Sequence, residues 1–263
     1  MYTYIVFDLD ETIGYFTQFG IIWDSIESIF NESLSQESFN CILSLYPNYF
    51  RYGIFTIFHY LKNVKKRNKN LKVMLYTNNQ GSKKWSDFIV NYIEEKINYK
   101  LFDQLIYAYK INGKQIESKR TTHNKTFGDF RRCTNCKSND KICFIDDQFH
   151  PGMKKNNIYY INIKPYYYYY DIDKIVNTFI SCNCYKNICS SLKFKCNEEV
   201  DKKKMKNIIE SYNILDGTQE QLSKEKKLTK KLLFHLQKFI RLHARKTKKR
   251  IHNKHKKTQK NLN

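Results

Sequence analysis

Tyr4-Ile5-Val6-Phe7-Asp8-Leu9-Asp10-Glu11-Thr12 decides how this chain is read. Four β-branched or aromatic residues without a charge make a short strand buried on both faces, and the strand stops at acids. Outward from it the pattern returns. Residues 72–76 are β-rich and run into the polar turn Thr77-Asn78-Asn79-Gln80-Gly81, and residues 142–145 end on Asp146-Asp147. Residues 105–109 and 158–163 read as two further strands. Between strands, Trp85, Phe88, Ile89, Tyr92, Ile93 and Ile97 recur at helical spacing opposite Asp87, Asn91, Glu94 and Glu95. Another helix leads from Phe55 into Lys65-Lys66-Arg67, cations suited to a helix C-terminus. Strand alternating with helix predicts an α/β fold with a parallel central sheet. Ligands of such sheets bind at the carboxyl ends of the strands, and three of those ends carry Asp8/Asp10, Thr77 and Asp146/Asp147.

Those residue types suit one chemistry. Asp8 can attack phosphorus as a nucleophile, and Asp10, two residues on, suits an acid that protonates the leaving oxygen and later a base for water. Crowded acids need a cation, and Mg²⁺ prefers a few carboxylate oxygens. Asp146 supplies a carboxylate from a distant strand. Phosphoryl transfer also needs donors for the equatorial oxygens, for which Thr77 and the backbone after it serve, together with a lysine.

Asp8-Leu9-Asp10-Glu11-Thr12, Tyr76-Thr77-Asn78-Asn79 and Phe144-Ile145-Asp146-Asp147 resemble motifs I, II and IV of the haloacid dehalogenase (HAD) superfamily. The DLDET form is similar to the NLI-interacting-factor-like branch, which includes phosphatases of the RNA polymerase C-terminal domain. Arg51-Tyr52-Gly53-Ile54-Phe55 resembles that branch's RPG helix start, with Tyr52 in place of proline. Lys125-Thr126-Phe127-Gly128-Asp129-Phe130 resembles its Lys-Asp-Leu segment, and Pro165 with Asp171 and Asp173 its closing segment. The resemblance covers about residues 1–180. It implies a three-layer Rossmannoid domain and an Mg²⁺-dependent phosphomonoester hydrolase working through an aspartyl-phosphate. Asp8 is then nucleophile, Asp10 acid/base, and Thr77 and Asn78 phosphate-binding. Lys125 neutralises the phosphate, and Asp8, the Asp10 carbonyl, Asp146 and Asp147 surround the metal. About four residues near 133–139 are extra relative to the usual spacing, so Lys114 and Lys119 compete with Lys125. Asn78-Asn79 is closer to HAD sugar and nucleic-acid phosphatases than to the Thr-Ala-Ser of the polymerase-tail enzymes. A phosphorylated protein is the expected substrate, with a nucleic-acid end or a non-catalytic nucleic-acid-binding module as alternatives. The Lys-, Asn- and Tyr-rich composition with these motifs resembles HAD-like proteins of large DNA viruses.

The chain divides into a phosphatase-like domain over residues 1–181, with a small cap insert at 23–50, and a basic extension over 182–263. Of the net charge of +22 in 263 residues, +15 falls in residues 201–263, where 20 Lys/Arg face 5 Asp/Glu. That segment calls for an acidic partner: nucleic acid, an anionic membrane or an acidic protein. Residues 205–215 and 219–245 read as helices, the second with the stripe Leu228, Leu232, Leu236, Phe239 and Ile240; disorder is expected from Arg245 onward. No apolar run approaches the roughly 18–20 residues of a membrane span and no leader opens the chain, so an intracellular site is expected, cytoplasmic or nuclear, or the host cytoplasm for a viral protein. Disulfides are then not expected among the eight cysteines. Cys133-Thr134-Asn135-Cys136 has zinc-knuckle spacing, to which Cys182, Cys184, Cys189 and Cys196 can add ligands, but without a second clean CxxC unligated thiols are favoured. Tyr166 to Tyr170 read as a loop segment of biased composition rather than a stacking platform, and His150-Pro151 as a turn beside the site.

Overall fold

The computed structural model describes residues 1–212 and 222–260, with side chains described as far as His243. Five parallel strands form one sheet in the order β3 (Gln104–Ile106), β2 (Leu71–Tyr76), β1 (Thr3–Phe7), β6 (Lys141–Asp146) and β7 (Ile158–Asn162). The uncharged run chosen for β1 explains its central place, since every residue of the strand is buried. Its alternation separates two cores. Ile5 and Phe7 join a large cluster on one face, while Tyr4 and Val6 join a smaller one on the other.

The large core is roofed by α1 (Thr17–Phe30), α2 (Gln36–Leu45), α3 (Ile54–Arg67), α4 (Lys83–Ile97) and α6 (Ile172–Ile180). The segment read as a cap insert is therefore α1, α2 and a one-turn 3-10 helix at Pro47–Tyr49, and its Trp23, Ile26, Phe39 and Ile42 are core residues. Helix α5 (Phe127–Thr134) covers the opposite face through Phe130 and Cys133. The third strand is shorter than the expected 105–109. The chain leaves the sheet at Tyr107, whose carbonyl accepts a hydrogen bond from Arg120 at 2.7 Å, and a hairpin of β4 (Lys110–Ile111) and β5 (Lys114–Gln115) follows.

Beyond residue 181, α7 (Asn183–Ser191), α8 (Glu198–Ser211) and α9 (Leu222–Lys260) pack on the same core. Tyr185, Met205, Ile209, Leu232 and Leu236 are all buried in it. The backbone of α9 continues to Lys260; the disorder expected from Arg245, and the helical reading of residues 213–215, lie outside the fully described residues.

The cysteines correct one expectation. Cys41 is bonded to Cys184 and Cys189 to Cys196. Helices α2 and α7 lie side by side and bring the first pair's Cα atoms to 5.9 Å, inside the range a disulfide spans. Three of the cysteines considered as extra zinc ligands are thereby used up. Cys133 and Cys136 are free thiols buried in the smaller core. Tyr166 and Tyr170 are buried in a loop, packed on Arg51 and on Tyr46 and Tyr49 respectively. Among the described residues no helix is long and apolar enough to cross a membrane.

Candidate active site

Strand register assembles the site. Phe7 of β1 lies opposite Leu75 of β2 and Ile145 of β6, so Asp8 and Asp146 leave the sheet side by side, and Thr77 follows one residue past the end of β2. The Asp8 amide donates to the Ile145 carbonyl at 2.9 Å, which carries the ladder one residue past the strand. Lys125 arrives from the other face of the sheet. It sits just before α5, whose N-cap Thr126 accepts from the Asp129 amide at 3.1 Å. Its Nζ donates to Asp8 Oδ1 and, at 2.7 Å, to Asp146 Oδ2, with all three side chains buried. Lys114 and Lys119 lie exposed, so Lys125 is the lysine that reaches Asp8.

Carboxylate oxygens of Asp8, Asp146 and Asp147 come within 4.8 Å of one another. Asp147 is oriented by Thr12, whose hydroxyl donates to Asp147 Oδ1 at 3.1 Å and accepts from the Asp147 amide at 3.0 Å. The side chain of Asp10 stands apart from this trio. Its Oδ2 accepts from Asn79 Nδ2 at 2.8 Å, and its carbonyl accepts from the Thr12 amide at 2.6 Å. Thr77 is buried; its hydroxyl accepts the Asn79 amide at 2.9 Å, leaving the hydroxyl proton to donate elsewhere. Asn78 lines the same small cavity of about 160 Å³ as Asp8, Asp10, Lys125 and Asp146, but its Oδ1 is held by Arg120 Nη2 at 2.7 Å.

Crowding shows in the electrostatics. Burial pushes the Asp8 carboxyl well above its ordinary range, with Asp146 and Asp10 adding to the rise and Lys125 opposing it. Burial also raises Asp10 and Asp147, and pushes Glu11 up to about 7. Asp146 goes the other way. Against its own burial, His150 and Lys125 hold it ionised, with His150 Nε2 3.4 Å from Asp146 Oδ2. Lys125 stays protonated because Asp8 and Asp146 outweigh its burial. One ammonium thus serves three clustered carboxylates. The all-oxygen donor set, short of positive charge, fits a hard divalent cation such as Mg²⁺.

Several site residues were not singled out from sequence. Arg120 is fully buried, lies 4.9 Å over the Tyr76 ring and donates to the carbonyls of Thr77 at 3.1 Å and His123 at 3.0 Å. It ties the loop carrying Lys125 to the loop carrying Thr77. Asn79, quoted in the second motif but given no role there, donates to Asp10. Arg51, noticed only as part of a helix start, donates to the carbonyls of Thr12 at 2.8 Å, Glu11 at 2.6 Å and Lys164 at 2.7 Å. Glu11 has a φ of 53°, a left-handed conformation uncommon outside glycine, and Arg51 holds it there.

The chain matches no known protein-family model, and neither characterised proteins nor solved structures include a match to it.

Proposed function

We propose that the chain is an Mg²⁺-dependent phosphomonoester hydrolase of the HAD type. The observation that carries this reading is Lys125 Nζ between Asp8 and Asp146, 2.7 Å from the latter. Its three participants come from segments far apart in sequence, and carboxylates clustered in excess of the buried cation are costly unless function requires them.

In the reaction, an Asp8 carboxylate oxygen forms a bond to phosphorus as the bond to the alcohol oxygen breaks. Asp10, its carboxyl raised by burial, delivers the proton that the leaving oxygen takes up. A water then attacks the aspartyl-phosphate, giving its proton to Asp10, and phosphate and the Asp8 carboxylate are restored. Lys125 and the Thr77 hydroxyl donate to the phosphoryl oxygens, and Asn78 and Asn79 form the polar lip around them. Arg120, Arg51 and Thr12 position these groups without touching the substrate. Asp8, Asp146, Asp147 and the Asp10 carbonyl would hold Mg²⁺, which would supply positive charge to shield the dianionic phosphate from the carboxylates.

The test is turnover of an aryl phosphate, a phosphoserine peptide and 3′- and 5′-phosphorylated oligonucleotides, with Mg²⁺ or EDTA, beside Asp8→Asn. Mg²⁺-dependent turnover absent from the variant supports the reading; none above the variant on any substrate ends it. A second reading, action on nucleic-acid ends or simple nucleic-acid binding, draws on the +15 charge of residues 201–263. Because Leu232, Leu236 and Phe239 are core residues, its test is removal of residues 246–263 only. Unchanged, salt-insensitive binding of RNA and DNA would remove that role. An intracellular setting, cytoplasmic or nuclear, goes with either reading.

A further inference from the structure

The small cavity around Asp8 does not end at Asp10. Asp10, Glu11 and Asn79 also line a second cleft of about 660 Å³, several times larger and within the ~300–1,000 Å³ of clefts that bury drug-sized ligands. Its far side is aromatic. Trp85 and Phe88 of α4, both half-buried, line it over the buried Phe16 and Trp23 of the α1 side, and the Trp23 and Phe88 rings meet edge-on at 6.0 Å between centroids. Its charge runs against that of the chain. Asp10, Glu11, Asp24 and Glu27 line it with one lysine, Lys84, whose ammonium lies 5.6 Å over the Phe88 ring. A chain of net charge +22 thus has an acidic, aromatic cleft opening from its reaction cavity.

Position gives the cleft its role. Asp10 protonates the leaving oxygen in the proposed reaction, so the group that leaves lies on the Asp10 side. The geometry points to this cleft as the leaving-group subsite, occupied by a phosphorylated peptide with Lys or Arg beside the phosphorylated residue. The inference rests on the hydrolase reading above and names its substrate class. An arginine beside the phosphorylated side chain meets carboxylates and ring faces together, the surroundings a guanidinium favours. A nucleic-acid strand would instead bring one phosphate per nucleotide against the carboxylates of Asp24 and Glu27, and juxtaposed like charges select against a partner. The basic C-terminal segment and this acidic cleft therefore call for opposite partners, and substrate choice belongs to the cleft.

Full-length protein with Mg²⁺ is given three phosphoserine peptides identical except for flanking Arg, Ala or Glu, a 5′-phosphorylated oligonucleotide of similar length, and an aryl phosphate. The expected order of kcat/KM is Arg, Ala, Glu, with the Arg peptide about 10-fold above the Glu peptide at low salt and the gap narrowing as salt screens it. Asp24→Lys, at an exposed position of α1, should cut that ratio at least 3-fold, mainly through KM for the Arg peptide. Glu27→Gln should cut it less. Turnover of the aryl phosphate with no order among the peptides, or with the oligonucleotide preferred, overturns the inference and leaves the hydrolase standing. Failure to turn over any of the peptides, the oligonucleotide or the aryl phosphate overturns both.

Discussion

Two buried ionic clusters lie on either side of the loop that follows β1, and they are built on opposite principles. On one side Lys125 faces Asp8 and Asp146, with Asp147 close by. On the other, Arg51 meets Glu225 of α9 at 3.0 Å, and its Nε and Nη2 donate to the carbonyls of Thr12, Glu11 and Lys164. The second cluster is balanced, one cation to one anion, and it behaves as a clasp between α9 and the first motif. The first has more carboxylates than cations. Burial drives Asp8, Asp10 and Asp147 up while Lys125 is held protonated. A balanced buried pair holds structure in place; an unbalanced one keeps room for a further cation and a reacting anion.

The comparison is broken most decisively at Asp8. Asp8→Asn should lower phosphatase turnover by roughly 10⁶-fold, the scale seen when a nucleophile is removed. The same change takes away a carboxylate that burial disfavours, so the melting temperature should hold or rise. A melting temperature that drops by 10 °C or more would mean that Asp8 is a structural partner of Lys125, as Glu225 is of Arg51.

Lys125→Met comes next. Removing one partner of a buried ion pair costs about 3–5 kcal/mol, and here it leaves two buried carboxylates facing each other. A divalent cation restores charge balance, so thermal melts should show a larger Mg²⁺-induced stabilisation for this variant than for the native chain. For the native chain, saturation at 100 times the dissociation constant contributes about 2.7 kcal/mol. Equal melting temperatures in Mg²⁺ and EDTA for both proteins would count against a metal among these carboxylates.

Glu225→Gln probes the clasp. The amide keeps a hydrogen bond to Arg51 but leaves the guanidinium charge uncompensated, and burial already pulls Arg51 below its usual value. A loss of about 2–3 kcal/mol is expected, the same in Mg²⁺ and in EDTA. That insensitivity to metal is the sharpest contrast with Lys125→Met, and chemical denaturation in the two buffers measures it.

The strand ends were legible because a buried parallel strand leaves an unambiguous mark, an uncharged β-branched run that stops at a polar residue. The same local rule gave the α/β class, the parallel sheet and the placement of Asp8, Thr77 and Asp146. Lys125 was legible only through resemblance, since its approach from the far face depends on how the chain between β5 and α5 folds. Arg120 gave no signal at all. It is one cation in a lysine-rich segment, and its burial is decided by carbonyls of Thr77, Tyr107 and His123 that come together only in the folded chain. The pairing of Cys41 with Cys184 spans 143 residues and follows from the packing of α7 on α2, which no spacing encodes. The stripe on α9 was read correctly as apolar, but a stripe does not say what it covers; it lies against β6 and β7, where Phe239 stacks on Tyr159 at 5.7 Å.

The smallest expected effect tests how firmly α9 is seated beside the first motif. Gly53, at the start of α3, has a φ of +75°, and a Cβ there would lie 2.7 Å from Thr229 Cγ2 of α9. The Thr229 hydroxyl donates to the Tyr52 carbonyl, so α9 cannot back away without losing that bond. Gly53→Ala carries two costs, about 1 kcal/mol for the left-handed backbone and about 1–2 kcal/mol for the forced contact. Thr229→Ser removes the obstructing methyl and keeps the hydroxyl. In that background Gly53→Ala should retain only the backbone cost, so a double-mutant cycle in thermal or urea unfolding yields a coupling of about 1–2 kcal/mol. A coupling near zero would mean that α9 yields freely at Thr229, and the Arg51–Glu225 pair would then be a contact that α9 makes without being fixed by it.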